Sequence, residues 1–108
     1  MPQWERVCAA QELPLGSQRF VSLAGRELAL FHLADPPRLM AVNNGCPHAG
    51  GNLSAGTVCG SVVACPWHQW EFDLATGRCV HNEAVQLRRH AVAVRDGGVW
   101  VDLEPMMT

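Results

Sequence analysis

The chain has 108 residues, of which 48% are hydrophobic and 17% charged, with a net charge of −2. That composition fits one folded domain with a modest core. It excludes a disordered chain, a basic nucleic-acid surface and a core accompanied by a separate catalytic domain. All eight basic residues are arginine, and Lys, Ile and Tyr are absent. The start, from Met1 to Gly16, lacks a basic stretch followed by an apolar one, and no apolar run approaches a membrane span, so a cytoplasmic location is expected. There, cysteines are more often free thiols or metal ligands than disulfide partners. The odd count of five (Cys8, Cys46, Cys59, Cys65 and Cys79) agrees with this.

In chain order, Trp4–Cys8 reads as a first strand and Gln11–Gly16 as a loop. Strands at Arg19–Leu23 and Glu27–Leu33 flank Ala24–Gly25–Arg26, a hairpin turn. Asp35–Pro36–Pro37 breaks the run, and Arg38–Val42 follows as another strand. From Asn43 to Gly60 the texture changes to Gly, Asn, Pro and His, too long for an idle loop in a small domain. Short strands are then expected at Ser61–Ala64 and Trp70–Asp73, a turn at Leu74–Gly77, and strands at Val85–Leu87, His90–Arg95 and Val99–Leu103. The last two are joined through Asp96–Gly97–Gly98. The whole reads as all-β, with eight or nine short strands forming a sandwich or small barrel. A loop-rich subdomain of about residues 45–74 is inserted in this single domain of residues 1–108.

Two clusters carry the chemistry. One is Cys46–Pro47–His48–Ala49–Gly50–Gly51; the other is Cys65–Pro66–Trp67–His68, with 16 residues between His48 and Cys65. Each offers one thiolate and one imidazole, a Cys₂His₂ set suited to zinc, copper(I) or an iron–sulfur cluster. The order is not that of a zinc finger, in which two Cys precede two His. Gly50 and Gly51 would let backbone pass close to an inorganic centre. Backbone N–H groups in such loops can donate to sulfur.

The segment from Cys46 to Gly77, CPHAGGNLSAGTVCGSVVACPWHQWEFDLATG, resembles the Rieske motif C-x-H…C-x-x-H beyond its four ligands. The likeness extends through Gly50, Leu53, Gly56, Val63, Pro66, Phe72, Asp73, Thr76 and Gly77. It covers about a third of the chain closely and the flanks more loosely. It implies a β-sandwich or barrel base with a cluster-binding subdomain at its tip. It also implies one [2Fe–2S] cluster, with Cys46 and Cys65 on the buried iron and His48 and His68 on the outer one. Rieske proteins of cytochrome bc-type complexes carry a disulfide whose cysteines would fall at positions 51 and 67; this chain has Gly51 and Trp67. The Ser and Tyr donors of high-potential members align with Trp70 and Phe72. Fewer donors to sulfur predict a potential at the low end of the Rieske range.

The resemblance therefore implies a one-electron carrier with no catalytic site of its own, working between a flavin-containing reductase and a terminal enzyme. Nucleic acid and membrane are not expected partners. The texture is most similar to the small Rieske subunit of NAD(P)H assimilatory nitrite reductase. The ferredoxin of a multicomponent aromatic-ring dioxygenase is the alternative, and a structural zinc module, a cluster-free interaction subunit and a redox sensor are lesser ones. No nucleotide or flavin fingerprint competes. Cys8 is expected as a buried thiol, and Cys59 and Cys79 as free thiols. His32, His81 and His90 are expected as ordinary strand or surface residues. Trp67 and Trp70 are expected as shields of the cluster, Asp73 as a turn-former binding backbone amides, and Arg78, Arg88 and Arg89 as solvated.

Overall fold

The computed structural model describes residues 2–34, 37–45, 52–66, 70–82 and 84–106. Among them are ten strands: β1 (Trp4–Ala9), β2 (Gln18–Leu23), β3 (Arg26–Ala34), β4 (Pro37–Asn43), β5 (Thr57–Cys59), β6 (Val62–Ala64), β7 (Glu71–Asp73), β8 (Arg89–His90), β9 (Val92–Arg95) and β10 (Gly98–Asp102). Single 3₁₀ turns lie at Ala10–Glu12 and Leu53–Ala55. No helix among the described residues is long and apolar enough to cross a membrane.

Two hairpins follow directly from turn chemistry. Leu23 pairs with Arg26 across Ala24 (φ 54°) and Gly25 (φ 78°), and Arg95 pairs with Gly98 across Asp96 (φ 50°) and Gly97 (φ 73°). Positive φ at both central residues matches the right-handed twist of the flanking strands.

The strands form three antiparallel sheets, ordered β1-β10-β9, β2-β3-β4-β8 and β5-β6-β7. Strand β3 explains how they stack. Successive side chains on a strand point to opposite faces, and β3 is buried on both: Leu28 and Leu30 join a core with Cys8, Val99 and Val101 from the first sheet. Ala29, Phe31 and Leu33 join a second core with Val63 and Phe72 from the third and Leu74 just after it. Strand β4 divides in the same way, Ala41 to the first core and Val42 to the second. The four-stranded sheet is thus a middle layer, and the three-stranded sheet with its loops packs on the Phe31 face. Full burial of each Phe or Leu removes enough apolar surface to contribute about 1.5–3 kcal/mol.

The expected all-β architecture is present, with differences of detail. Part of the expected first loop is the Ala10–Glu12 turn, closed where the Ala9 N–H donates to Glu12 Oε1 at 2.7 Å. Strand β5, inside the stretch read as loop, pairs with β6 through Val58↔Val63. Val85–Leu87 forms no strand; Gln86 makes one isolated bridge to Arg78. His90–Arg95 is two strands, not one. β8 pairs with β4 in the middle sheet while β9 pairs with β10 in the first, so the chain changes sheet at Ala91. Strand β1 carries an irregularity between Arg6 and Cys8, which pair with the adjacent residues Trp100 and Val99. Val7 is the extra residue of a β-bulge.

Candidate metal centre

Of the four expected ligands, Cys65 lies among the described residues; Cys46, His48 and His68 lie outside them, as do Gly50, Gly51 and Trp67. Among the described residues no three His, Cys, Asp or Glu side chains gather at one point. The described part of the site is Cys65 and the two necks from which the ligand-bearing segments 46–51 and 67–69 leave.

The first neck is a closed hydrogen-bonded ring. Gly45 and Asn52 form an antiparallel bridge. The Leu53 N–H donates to the Asn44 carbonyl at 2.9 Å. The Asn44 side chain doubles this closure: its Nδ2 donates to Asn52 Oδ1 at 2.8 Å, and its Oδ1 accepts from the Ser54 N–H at 3.0 Å. Asn44 is fully buried, so its amide must be satisfied internally. Its own N–H donates to the Glu27 carbonyl at 2.9 Å, tying the neck to the start of β3. From β2, Gln18 Nε2 reaches Ser54 O at 2.6 Å and Gly56 O at 2.8 Å.

The second neck continues a strand ladder. The Cys65 N–H donates to the Trp70 carbonyl at 2.7 Å, and the β6–β7 ladder continues from there through Ala64↔Glu71 and Val63↔Phe72. Cys65 is 1% exposed, in the core that holds Leu53, Phe72 and Leu74, with half-buried Trp70 packed against it. Leu53 follows the first neck and Cys65 opens the second, so one core holds the bases of both ligand segments.

The turn after β7 supports this core. Asp73 Oδ1 accepts from the Ala75 N–H at 2.9 Å and from Ser61 Oγ at 3.1 Å, as a turn-forming aspartate does. Gly77 (φ 80°) closes the turn. Arg89, expected to be solvated, instead donates from Nη1 to the Ala75 carbonyl at 2.7 Å and braces the turn from β8; Arg78 and Arg88 are exposed as expected.

The remaining candidates separate clearly. Cys8 and Cys79 are buried, Cys59 is exposed, and all three are free thiols. Burial pushes the Cys8 thiol up from its ordinary range, leaving it an unreactive core group. His32 Nδ1 pairs with the Leu13 carbonyl at 2.8 Å. His81 Nε2 lies 3.4 Å from Glu71 Oε1, with both side chains about half exposed. His90 lies in strand β8, as expected, and is buried: Nδ1 pairs with the Asp102 carbonyl at 2.9 Å, and Nε2 lies 2.9 Å from the Asn43 side-chain amide. Burial lowers its pKa from the ordinary 6.5. Among the described residues none of these histidines joins a metal-binding group.

The residues present fit an iron–sulfur cluster. Cys65, a thiol buried among apolar side chains at the mouth of a loop, suits a ligand to an iron centre held there, and the donor set expected from the sequence, two thiolates and two imidazoles, is that of a Rieske cluster. Sequence reasoning missed Asn44, Gln18 and Arg89. Asn43–Asn44–Gly45 reads as turn chemistry, and no periodicity marks Asn44 as buried.

Comparison with known proteins agrees with this chemistry. The family model described as the Rieske [2Fe-2S] domain matches residues 3–93. The ferredoxin component of the naphthalene 1,2-dioxygenase system of Pseudomonas aeruginosa is 31% identical over 102 residues, covering 94% of this chain and 96% of that protein. Cholesterol 7-desaturase nvd of Bombyx mori is 34% identical over 106 residues, of which this chain spans 23% of the length. Among solved structures, a chain in the complex of reduced oxygenase and oxidized ferredoxin of carbazole 1,9a-dioxygenase superposes with TM-score 0.87 at 33% identity, covering 97% of both chains. A Mycobacterium tuberculosis protein assigned as an NADH-dependent nitrite reductase small subunit superposes with TM-score 0.85 at 27% identity, covering 100% of this chain and 98% of that one.

Proposed function

This chain belongs to the Rieske [2Fe–2S] domain family, and on that premise we propose that Cys46, His48, Cys65 and His68 hold its cluster and that the protein carries single electrons between a flavin-containing reductase and a terminal enzyme. The observation that carries the reading is Cys65: a buried thiol at the one neck ligand described, packed in the same core as the base of the segment bearing Cys46 and His48. When bound, the cluster supplies a one-electron couple.

The chain's own residues do the rest. Trp70, Leu53 and Phe72 keep water from the Cys65 side, which lowers the local dielectric and tunes the potential. The Cys65–Trp70 hydrogen bond and the Asn44 ring fix where the two ligand segments begin and end. Two imidazole ligands at the outer iron would be the electron port. We also assign residues 45–74 as the cluster-binding subdomain, supported by the Gly45↔Asn52 bridge at its entrance and by the β5-β6-β7 sheet within it. A cytoplasmic location belongs to the same reading.

Two settings suit such a carrier: a dioxygenase-type system and a nitrite reductase. The first is supported by two whole-length relatives from dioxygenase systems at 31% and 33% identity, the second by a structural neighbour at 27%. The test is to supply NAD(P)H and a flavin reductase and follow the visible absorption. Single-electron bleaching, reversed by a ring-hydroxylating oxygenase but not by a siroheme reductase, is the expected result. Reoxidation by the siroheme enzyme alone would assign the second setting. A chain that takes up no electron would end the carrier reading.

A further inference from the structure

Asn44 is the one fully buried side-chain amide among the described residues, and it spends both of its polar atoms on closing the first neck. Its Nδ2 holds Asn52 Oδ1 at 2.8 Å across the mouth of the 46–51 segment. Its Oδ1 holds the Ser54 N–H at 3.0 Å beyond it. Its backbone adds bonds to Glu27 O and from Leu53 N, both at 2.9 Å. Gln18 grips the same stretch from the middle sheet, through Ser54 O and Gly56 O. The second neck is joined where the Cys65 N–H donates to the Trp70 carbonyl. With Gly51 and Trp67 in the two segments, no disulfide links them at those positions.

We propose that Asn44 is a positioning residue for the cluster: its side chain, closed on Asn52, sets the separation between the two ends of the segment bearing Cys46 and His48, and so governs how long the cluster is retained. This rests on the ligand assignment above. The physical reason is local opening. A ligand segment releases metal when its ends part, and the rate of loss follows the population of that open state. A buried amide deprived of its partner keeps its full desolvation cost, so losing Asn52 Oδ1 destabilises the closed ring. Asn52 is exposed, so its replacement leaves the core intact.

The experiment compares Asn52→Leu, which removes the acceptor, with Asn52→Asp, which keeps an oxygen in place for Asn44 Nδ2. Val101→Ala, in the opposite core, serves as a control for general destabilisation. Cluster loss to an iron chelator is timed by visible absorption, and thermal unfolding is recorded for each variant. Asn52→Leu should lose the cluster about tenfold faster than the wild-type chain, Asn52→Asp within about twofold of it, and Val101→Ala at the wild-type rate despite a lower unfolding temperature. Wild-type retention in Asn52→Leu, or equal acceleration in Val101→Ala, would overturn the proposal. A Cys46→Ser variant that keeps the Rieske spectrum would overturn the ligand assignment beneath it, an outcome distinct from either.

Discussion

Gly56 has no room for a side chain. A Cβ added there would lie 2.3 Å from the Ala64 carbonyl oxygen and 3.1 Å from that of Leu53, distances that only backbone movement relieves. Gly56→Ala should therefore cost about 2–3 kcal/mol, read as a lower denaturation midpoint in urea; an unchanged midpoint would show that the backbone between the Leu53–Ala55 turn and β5 gives way freely. Phe72 matters for a different reason. It is fully buried and has no hydroxyl, so it supplies no hydrogen bond to sulfur at the position where high-potential relatives place a tyrosine. The reduction potential should fall below about +100 mV, within a family range of about −150 to +300 mV, and voltammetry of the loaded protein measures it directly. At this scale the sequence offers the ligand candidates, because Cys–Pro–His and Cys–Pro–Trp–His are chemically rare, and of the four only Cys65 lies among the described residues. It did not show Asn44, Gln18 or Arg89, whose roles depend on which backbone atoms the fold brings within 3 Å.

Hairpins were the readable elements and sheet changes the unreadable ones. Asp96–Gly97 announces its turn because both residues tolerate positive φ. Ala24–Gly25 does so less strongly, since Ala24 sits at φ 54° with a Cβ that disfavours it. Replacing Ala24 by Asn should add about 0.5–1 kcal/mol of stability and raise the melting temperature by about 4 °C; a lower melting temperature would mean that Ala24 makes a contact worth more than its strain. Strand β5 escaped notice because three residues, Thr57–Cys59, carry too little alternation to stand out beside glycines. The break at Ala91 escaped notice because His90–Arg95 alternates as one strand, although its two parts serve different sheets. Periodicity reports which residues are buried, not which neighbour buries them.

At the scale of the whole molecule, the middle sheet joins two cores, and His90 sits on that junction between β4, β8 and β10. Its pKa is lowered in the fold, chiefly by burial. The native state therefore binds fewer protons than the unfolded chain just below pH 6.5, and stability falls as pH drops through that value. Asp102, held low chiefly by the Gln3 N–H donating to its carboxylate, acts in the same direction below its ordinary 3.8. Stability should be level from pH 7 to 8 and decline below about pH 6.5, followed by unfolding midpoints across the range; a midpoint flat from pH 7 to 5 would show that His90 is freely protonated in place. Acid thus loosens the β base that presents the two necks. The claim that joins fold, necks and ligands is the cluster itself. Low-temperature EPR of dithionite-reduced protein, with iron, sulfide and zinc assayed on the same sample, tests it most directly. A Rieske cluster should give a rhombic signal with average g below about 2 and about two irons per chain; a silent sample holding zinc and no sulfide would rule the cluster out.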